Sequence, residues 1–366
     1  MTIRGQVAPD VTEVQVGERI EQMRRRPQKF RDERVTMAHG AGGKASRALV
    51  EGLVVPLLAN PALEQLSDAG LLTVGTTRLA LTTDAYVVRP IRFPGGSIGE
   101  LAVNGTVNDL AVSGACPVAL SAALVLEEGL SAGVLEAEIT AMADAARAAD
   151  VHVITGDTKV VERGKCDSMY IVTTGIGVVA EGVSLAAQLV RPGDKVLVSG
   201  TIGDHGIAIL IARGDLDIEA DVRSDTQPLW SLASALLATC GDGLHCMRDA
   251  TRGGVATVLN EIALAAEVGI VLEESRVPVR PEVIGAGEIL GIDPLYVANE
   301  GKLVAFVAPE HADAALEAMR ALPSGKDAAI VGEVREEPPG RVLGRTTFGG
   351  HRLIDMLVGD PLPRIC

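Results

Sequence analysis

Leu79-Ala80-Leu81-Thr82-Thr83-Asp84-Ala85-Tyr86-Val87-Val88 reads as a β-strand broken by a single acid, and nine residues later Ser97 opens a helix. Serine is a preferred N-cap, and Ile98, Leu101, Ala102 and Leu110 recur at helical spacing as far as about Ser113. A second helix fits Ser131–Ala149, with Leu135, Ile139, Met142 and Ala146 on one face. Val151–Ile154 and Ser168–Val179 follow as strands. The run Leu189-Val190-Arg191-Pro192-Gly193-Asp194 is a turn and a domain junction. Beyond it, Lys195–Ser199, Ile270–Leu272 and Leu303–Val307 read as strands. Ile207–Ala212, Gln227–Leu237, Val255–Glu267 and His311–Ala321 read as helices. Interleaving in both halves predicts a two-domain α/β (α+β) fold with mixed layers. No solenoid period is visible. The expected divisions are an extension at 1–34, an N-terminal domain at 35–185, a C-terminal domain at 186–350 and a tail at 351–366.

The composition narrows the function. A chain of 366 residues suits two cores, and with only 2% aromatics they must be built from Ala, Val, Leu and Ile. A net charge of −15 argues against nucleic acid as the main partner. It leaves anionic substrates open, because glycine-rich loops and metal ions can hold phosphate on an acidic protein. No long uncharged apolar run suggests a membrane span, and no signal-peptide core is expected at the N-terminus. Glu18 to Arg34 mixes both charges and is expected to be either a short solvated helix or disordered. Five scattered cysteines (116, 166, 240, 246, 366) suit a reducing cytoplasm.

The last of these is the final residue. Pro361 and Pro363 bias the tail towards an extended form, and eight residues beyond Val358 span roughly 26 Å. Cys366 is thus a thiol on an arm, suited to loading at one place and presentation at another. A chance terminal cysteine is the plain alternative. Cys240, His245 and Cys246 fit no usual zinc spacing and read as buried groups. His39 and His205 are candidates either for polar contacts near a site or for structural hydrogen bonds.

Four aspartates stand out. Asp84 interrupts an apolar strand, Asp109 follows Asn108 on the amphipathic helix, Asp157 lies in Thr155-Gly-Asp-Thr-Lys159, and Asp249 precedes Ala-Thr-Arg-Gly-Gly. A carboxylate in apolar surroundings needs a partner or a metal. Mg²⁺ takes carboxylate and phosphate oxygens together, so the four suit a polyphosphate–Mg²⁺ site. Taken singly, each also reads as a cap or turn former. His39-Gly40-Ala41-Gly42-Gly43-Lys44 can wrap a phosphate with backbone amides. It is not a Walker A loop, since Ala38 and Ala45 stand where Gly and Ser/Thr are required.

Together these segments resemble the hydrogenase maturation family HypE, within the superfamily of aminoimidazole ribonucleotide synthetase, selenophosphate synthetase and thiamine-monophosphate kinase. The resemblance runs from about Val35 to Cys366. It rests on His39-Gly-Ala-Gly-Gly, Phe93-Pro-Gly-Gly-Ser-Ile-Gly, Gly105-Thr-Val-Asn-Asp-Leu-Ala-Val-Ser-Gly and Gly156-Asp-Thr-Lys-Val-Val. Further matches are Ser199-Gly-Thr-Ile-Gly-Asp-His-Gly, Arg248-Asp-Ala-Thr-Arg-Gly-Gly-Val, Ala298-Asn-Glu-Gly-Lys-Leu and the family-specific Pro363-Arg-Ile-Cys.

The resemblance implies a homodimer paired through N-domain sheets, and use of ATP and Mg²⁺. It implies that the carbamoyltransferase HypF carbamoylates the Cys366 thiol, that ATP-dependent dehydration makes a thiocyanate, and that the cyano group passes to iron on the HypC–HypD complex. Carried onto this chain, it makes Gly40, Gly42, Gly43, Lys44, Asn108 and Thr158 nucleotide contacts. It makes Asp84, Asp109, Asp157 and Asp249 the metal set, and sets Glu300 and Lys159 around Cys366, with Glu300 as base. Among sister activities, selenophosphate synthesis is disfavoured because residues 35–46 hold no Cys, and a thiamine-monophosphate kinase needs no terminal thiol. A non-catalytic carrier would need no acidic ATP site.

Overall fold

The computed structural model describes residues 29–214, 220–357, 359 and 365–366. Most of the Glu18–Arg34 stretch, and Pro361 and Pro363, lie outside the described residues.

The first half builds a five-stranded sheet in the spatial order Gly70–Val74, Thr77–Tyr86, Met169–Val179, Ala115–Glu127, His152–Val161. All its pairings are antiparallel except the last, which is parallel. One face is covered by the helix Ile98–Val112, against which Ala132–Ala148 packs. That central helix is apolar on nearly every side, because it is wedged between the sheet and the second half of the molecule. Ser97 occupies its N-cap position but makes no capping bond. The buried Gly99 amide of the first turn is answered instead by Glu138, which accepts it at 3.1 Å and pairs with Arg92 at 2.7 Å.

The second half carries a seven-stranded sheet: His351–Ile354, Arg341–Arg345, Gly269–Glu273, Ala329–Arg335, Lys195–Val198, Leu303–Val307, Leu244–Asp249. Its helices Gly254–Ala266 and Trp230–Cys240 supply Val, Leu, Ile and Ala to two further cores. The halves are joined through the central helix. Asn108 donates to the carbonyls of Gln227 and Glu300 and accepts the Leu229 amide at 2.8 Å.

The sequence does not signal the strands Gly70–Val74, Leu244–Asp249, Ala329–Arg335, Arg341–Arg345 and His351–Ile354, and two further departures bear on the site. Ala115–Glu127 is a thirteen-residue strand that alanine content and Pro117 conceal; the proline falls at a register shift, where its missing N–H costs no ladder bond. The strand expected at Val151–Ile154 runs on to Val161, so Gly156-Asp157-Thr158-Lys159 is sheet edge instead of a loop beyond a strand.

Candidate active site

Alternation along Thr77–Tyr86 sends Thr82, Asp84 and Tyr86 towards the central helix and leaves Leu81, Thr83 and Ala85 on the open face. On the helix side, the Thr82 hydroxyl donates to Asp109 Oδ2 at 2.6 Å and the Tyr86 hydroxyl to Asp84 Oδ2 at 3.1 Å. Asp249 enters from the end of the strand Leu244–Asp249. Asp68 completes the group and is paired to Arg248.

Burial, then the charges of Asp84, Asp249 and Asp68, hold the Asp109 carboxyl well above the usual range. Burial, Asp68 and Asp84 do the same to Asp249. Three of the four expected acids are therefore electrostatic neighbours although far apart in sequence. Asp68 carries no signal in the sequence, where Ser67-Asp68 reads as an ordinary turn.

Asp157 is the exception. Residues 84, 173, 122 and 156 share one row across the sheet, and 85, 172, 123 and 157 share the next. Adjacent rows point to opposite faces, so Asp157 is turned away from Asp84. It is exposed, and it pairs with Lys159 at 3.0 Å, which holds its carboxyl below the usual range. Lys159 shares that open face and does not join the Cys366 pocket of its own chain. Thr158 is exposed on the same edge strand.

The Cys366 pocket is built differently from the expectation. Ile365 is buried in the first core, and its carbonyl lies 2.6 Å from His205 Nε2. Cys366 follows, half-buried, with Arg252 as its cation: burial pushes the thiol up to about 12, Arg252 works the other way, and Glu300 and Asp84 add to the rise. Arg252 stands at the mouth and also donates to the Gly40 carbonyl at 3.2 Å. Glu300 is 3% exposed and its Oε1 has no hydrogen-bond partner. Burial first, then Asp249 and Asp225, holds its carboxyl well above the usual range. Beneath it, Asp225 receives the Glu300 amide at 3.0 Å and Lys302 Nζ at 3.0 Å.

The glycine-rich loop packs against the root of the tail. Lys44 donates its amide to the Leu357 carbonyl at 2.9 Å and its ammonium to Asp355 at 2.8 Å. A side chain at Gly43 would strike that same carbonyl, and Gly42, at φ +74°, lies under Arg252. Gly40 offers its carbonyl to Arg252. Lys44 and Asn108 thus have their polar groups engaged within the chain. His39 is structural too: Nε2 meets Asp32 at 2.9 Å and Nδ1 the Thr36 amide at 2.9 Å. Cys240 and Cys246 are buried thiols, pushed up to about 11 and about 12 by burial, and His245 bonds Asp194 at 2.7 Å.

Among the described residues no three His, Cys, Asp or Glu side chains stand close enough to hold a metal unaided. The donor chemistry of Asp84, Asp109 and Asp249 nonetheless fits a hard cation whose remaining ligands are phosphate oxygens and water. Mutually repelling, partly buried carboxyls gain most from such a cation.

The chain is similar to proteins of known family. A family model described as AIR synthase related protein, N-terminal domain, matches residues 66–179, and its C-terminal counterpart matches 191–344. The carbamoyl dehydratase HypE of Rhodobacter capsulatus is 53% identical over 340 residues, 92% of this chain and 99% of that protein. A crystal structure of a HypE–HypF complex aligns at TM-score 0.81 and 43% identity, covering 85% of this chain and 100% of that one. A crystal structure of HypE in complex with ATP aligns at TM-score 0.76 and 46% identity, covering 91% and 100%.

Proposed function

The chain belongs to the HypE family of carbamoyl dehydratases, and from that premise we propose that its substrate is its own C-terminal cysteine. The enzyme converts the S-carboxamide of Cys366 to a thiocyanate with ATP, in hydrogenase maturation. The observation that carries the reading is the seating of Cys366 beside Arg252 and beside Glu300, whose Oε1 has no hydrogen-bond partner.

An amide oxygen is a poor leaving group. The carboxamide oxygen takes the γ-phosphoryl group of ATP with release of ADP, one N–H proton passes to Glu300, and the oxygen departs as phosphate with the second proton, leaving S–C≡N. Arg252 offers charge to the oxygen and the leaving phosphate. Glu300 receives a nitrogen proton: burial among acids makes it a strong base once it is ionised, and the approach of a cation favours that ionised form. Mg²⁺ bound by Asp84, Asp109 and Asp249 would neutralise the triphosphate. Asp225 and Lys302 fix the Glu300 backbone without touching substrate.

The carbamoyl donor is a HypF-type carbamoyltransferase, and a HypC–HypD-type complex takes the cyano group. The described residues include no helix long and apolar enough to cross a membrane, which suits work in the cytoplasm. The open sheet face exposes Leu81, Val118 and Val178, so that a second copy can cover it as a homodimer.

Intact mass tests the reading. With the carbamoyltransferase and carbamoyl phosphate the chain gains one HNCO, and with ATP it then loses one water. Cys366→Ala should gain nothing. Glu300→Gln should gain HNCO and lose water about 10²–10⁴-fold more slowly. Dehydration of Glu300→Gln at the parent rate would remove Glu300 as the base.

A further inference from the structure

The Ile365 carbonyl is the last peptide acceptor before Cys366, and a buried imidazole takes it. His205 Nε2 lies 2.6 Å from that oxygen and Nδ1 2.8 Å from Ser224 Oγ. A carbonyl only accepts, so Nε2 carries the proton. Burial holds the imidazole below its usual range, against the pull of Asp225 and the Ile365 carbonyl, so the ring is neutral. Nδ1 therefore accepts the Ser224 hydroxyl proton, while Ser224 Oγ accepts the Thr226 amide at 3.2 Å. The ring stands edge-on to Phe93, with centroids 5.6 Å apart. The Ser224 amide is itself tied to the Pro94 carbonyl at 2.8 Å. Ring plane and position are thus set by groups other than the tail, and Nε2–H is what the ring offers to it.

We propose that His205 is a latch: a positioning residue that holds the Ile365 carbonyl so that the Cys366 sulfur seats beside Arg252 and Glu300, and whose release frees the arm for loading. This deepens the reading given under Proposed function and rests on it. The two halves of that reaction need opposite environments. Loading needs a nucleophilic thiolate in reach of a carbamoyl donor, and a docked thiol pushed up to about 12 is a poor one beside an exposed cysteine near 8.5. Dehydration needs the modified sulfur held still, away from bulk water. The latch touches the docked arm alone, so its strength divides the chain between the two states. Its partner is a backbone carbonyl, so it grips the free, carbamoylated and cyanated arm alike.

The test uses the full-length chain, iodoacetamide as probe, and mass mapping of the C-terminal peptide, because Cys116 is exposed and will also react. Loss of one hydrogen bond should raise Cys366 alkylation in His205→Ala about 3- to 10-fold. Single-turnover dehydration of its carbamoylated form should fall, while carbamoylation by the transferase should not. His205→Gln keeps an N–H donor and should restore both. Ser224→Ala frees the tautomer and should raise alkylation by a smaller factor; it carries the test if His205→Ala does not fold. Alkylation of His205→Ala, or of Ser224→Ala in its place, at the parent rate overturns the latch whether or not dehydration proceeds. Failure of the parent chain to lose water with ATP overturns the functional reading and leaves the alkylation result standing on its own.

Discussion

The backbone amide of Glu300 is held by the side chain of Asp225, N to Oδ1 3.0 Å, and the other carboxylate oxygen of Asp225 holds Lys302 Nζ at the same distance. Burial opposes the Asp225 charge, but Lys302 and the hydrogen bond from the Glu300 amide overcome it and keep the carboxyl below its usual range. The proposed base is therefore seated on a buried ion pair.

Asp225→Asn should cost about 3–5 kcal/mol of stability, because it strands the buried ammonium of Lys302. Asp225→Asn combined with Lys302→Met should recover much of that loss, and denaturant titration reads both. The double variant should remain slow in dehydration, since the main-chain anchor of Glu300 is weakened. Equal destabilisation in single and double variants would mean that the ion pair is not the seat of the energy.

Asp109 repels Asp84, Asp249 and Asp68 inside a partly dry cluster. Asp109→Asn keeps the Thr82 contact geometry and removes one charge, so it should raise the thermal midpoint, by about 2–4 °C for each kcal/mol of repulsion relieved. Millimolar Mg²⁺ should raise the midpoint of the parent and raise that of Asp109→Asn less. Equal shifts in both would place the cation elsewhere.

How much of this was legible follows the physics of each residue. Asp84 and Asp109 stood out because an acid amid apolar neighbours is costly, and cost is visible locally. The strand–helix alternation was legible for the same reason, since periodicity is local. For Asp157 strand length decides: a strand ending at Ile154 leaves Asp157 free to turn inward, whereas one continuing to Val161 sets it on the face opposite Asp84 in its own chain. Arg252 and Asp225 carried no signal. An arginine beside two glycines, or an aspartate after Arg-Ser, reads as surface until the tail and the Glu300 loop are brought to it. The Ala115–Glu127 strand was hidden by alanines, whose strand preference is weak.

The Cys366 thiol gives a pH dependence with a definite sign. Docked, its pKa is pushed up to about 12; undocked, it returns towards the ordinary cysteine value near 8.5. The docked arm therefore binds its proton more tightly, and docking is fully favoured below the ordinary value and lost as pH rises through the docked one. Alkylation of Cys366 should climb more steeply above pH 9 than that of a cysteine in an unstructured peptide. Cys366 reactivity that follows the peptide curve throughout would show that the thiol is not docked in solution.

Lys159 decides where the catalytic unit ends. It shares the open sheet face with Asp157, away from the Cys366 of its own chain. If a second copy covers that face, a catalytic Lys159 serves the partner's pocket. Lys159→Ala should then dehydrate slowly by itself, as should Glu300→Gln. Mixing the two and re-forming dimers should recover activity, because one of the two pockets in each mixed dimer would combine an intact Glu300 with an intact Lys159 from the other chain. The expected recovery is about a quarter of the parent rate at equal mixing, since half the dimers are mixed and half of their pockets are complete. Val178→Asp, a charge on the open sheet face, should weaken the dimer in sedimentation and lower the recovery. Absence of recovery in verified mixed dimers would confine Lys159 to its own chain. A parent rate in Lys159→Ala alone would remove it from the chemistry, leaving Arg252 as the cation at the sulfur.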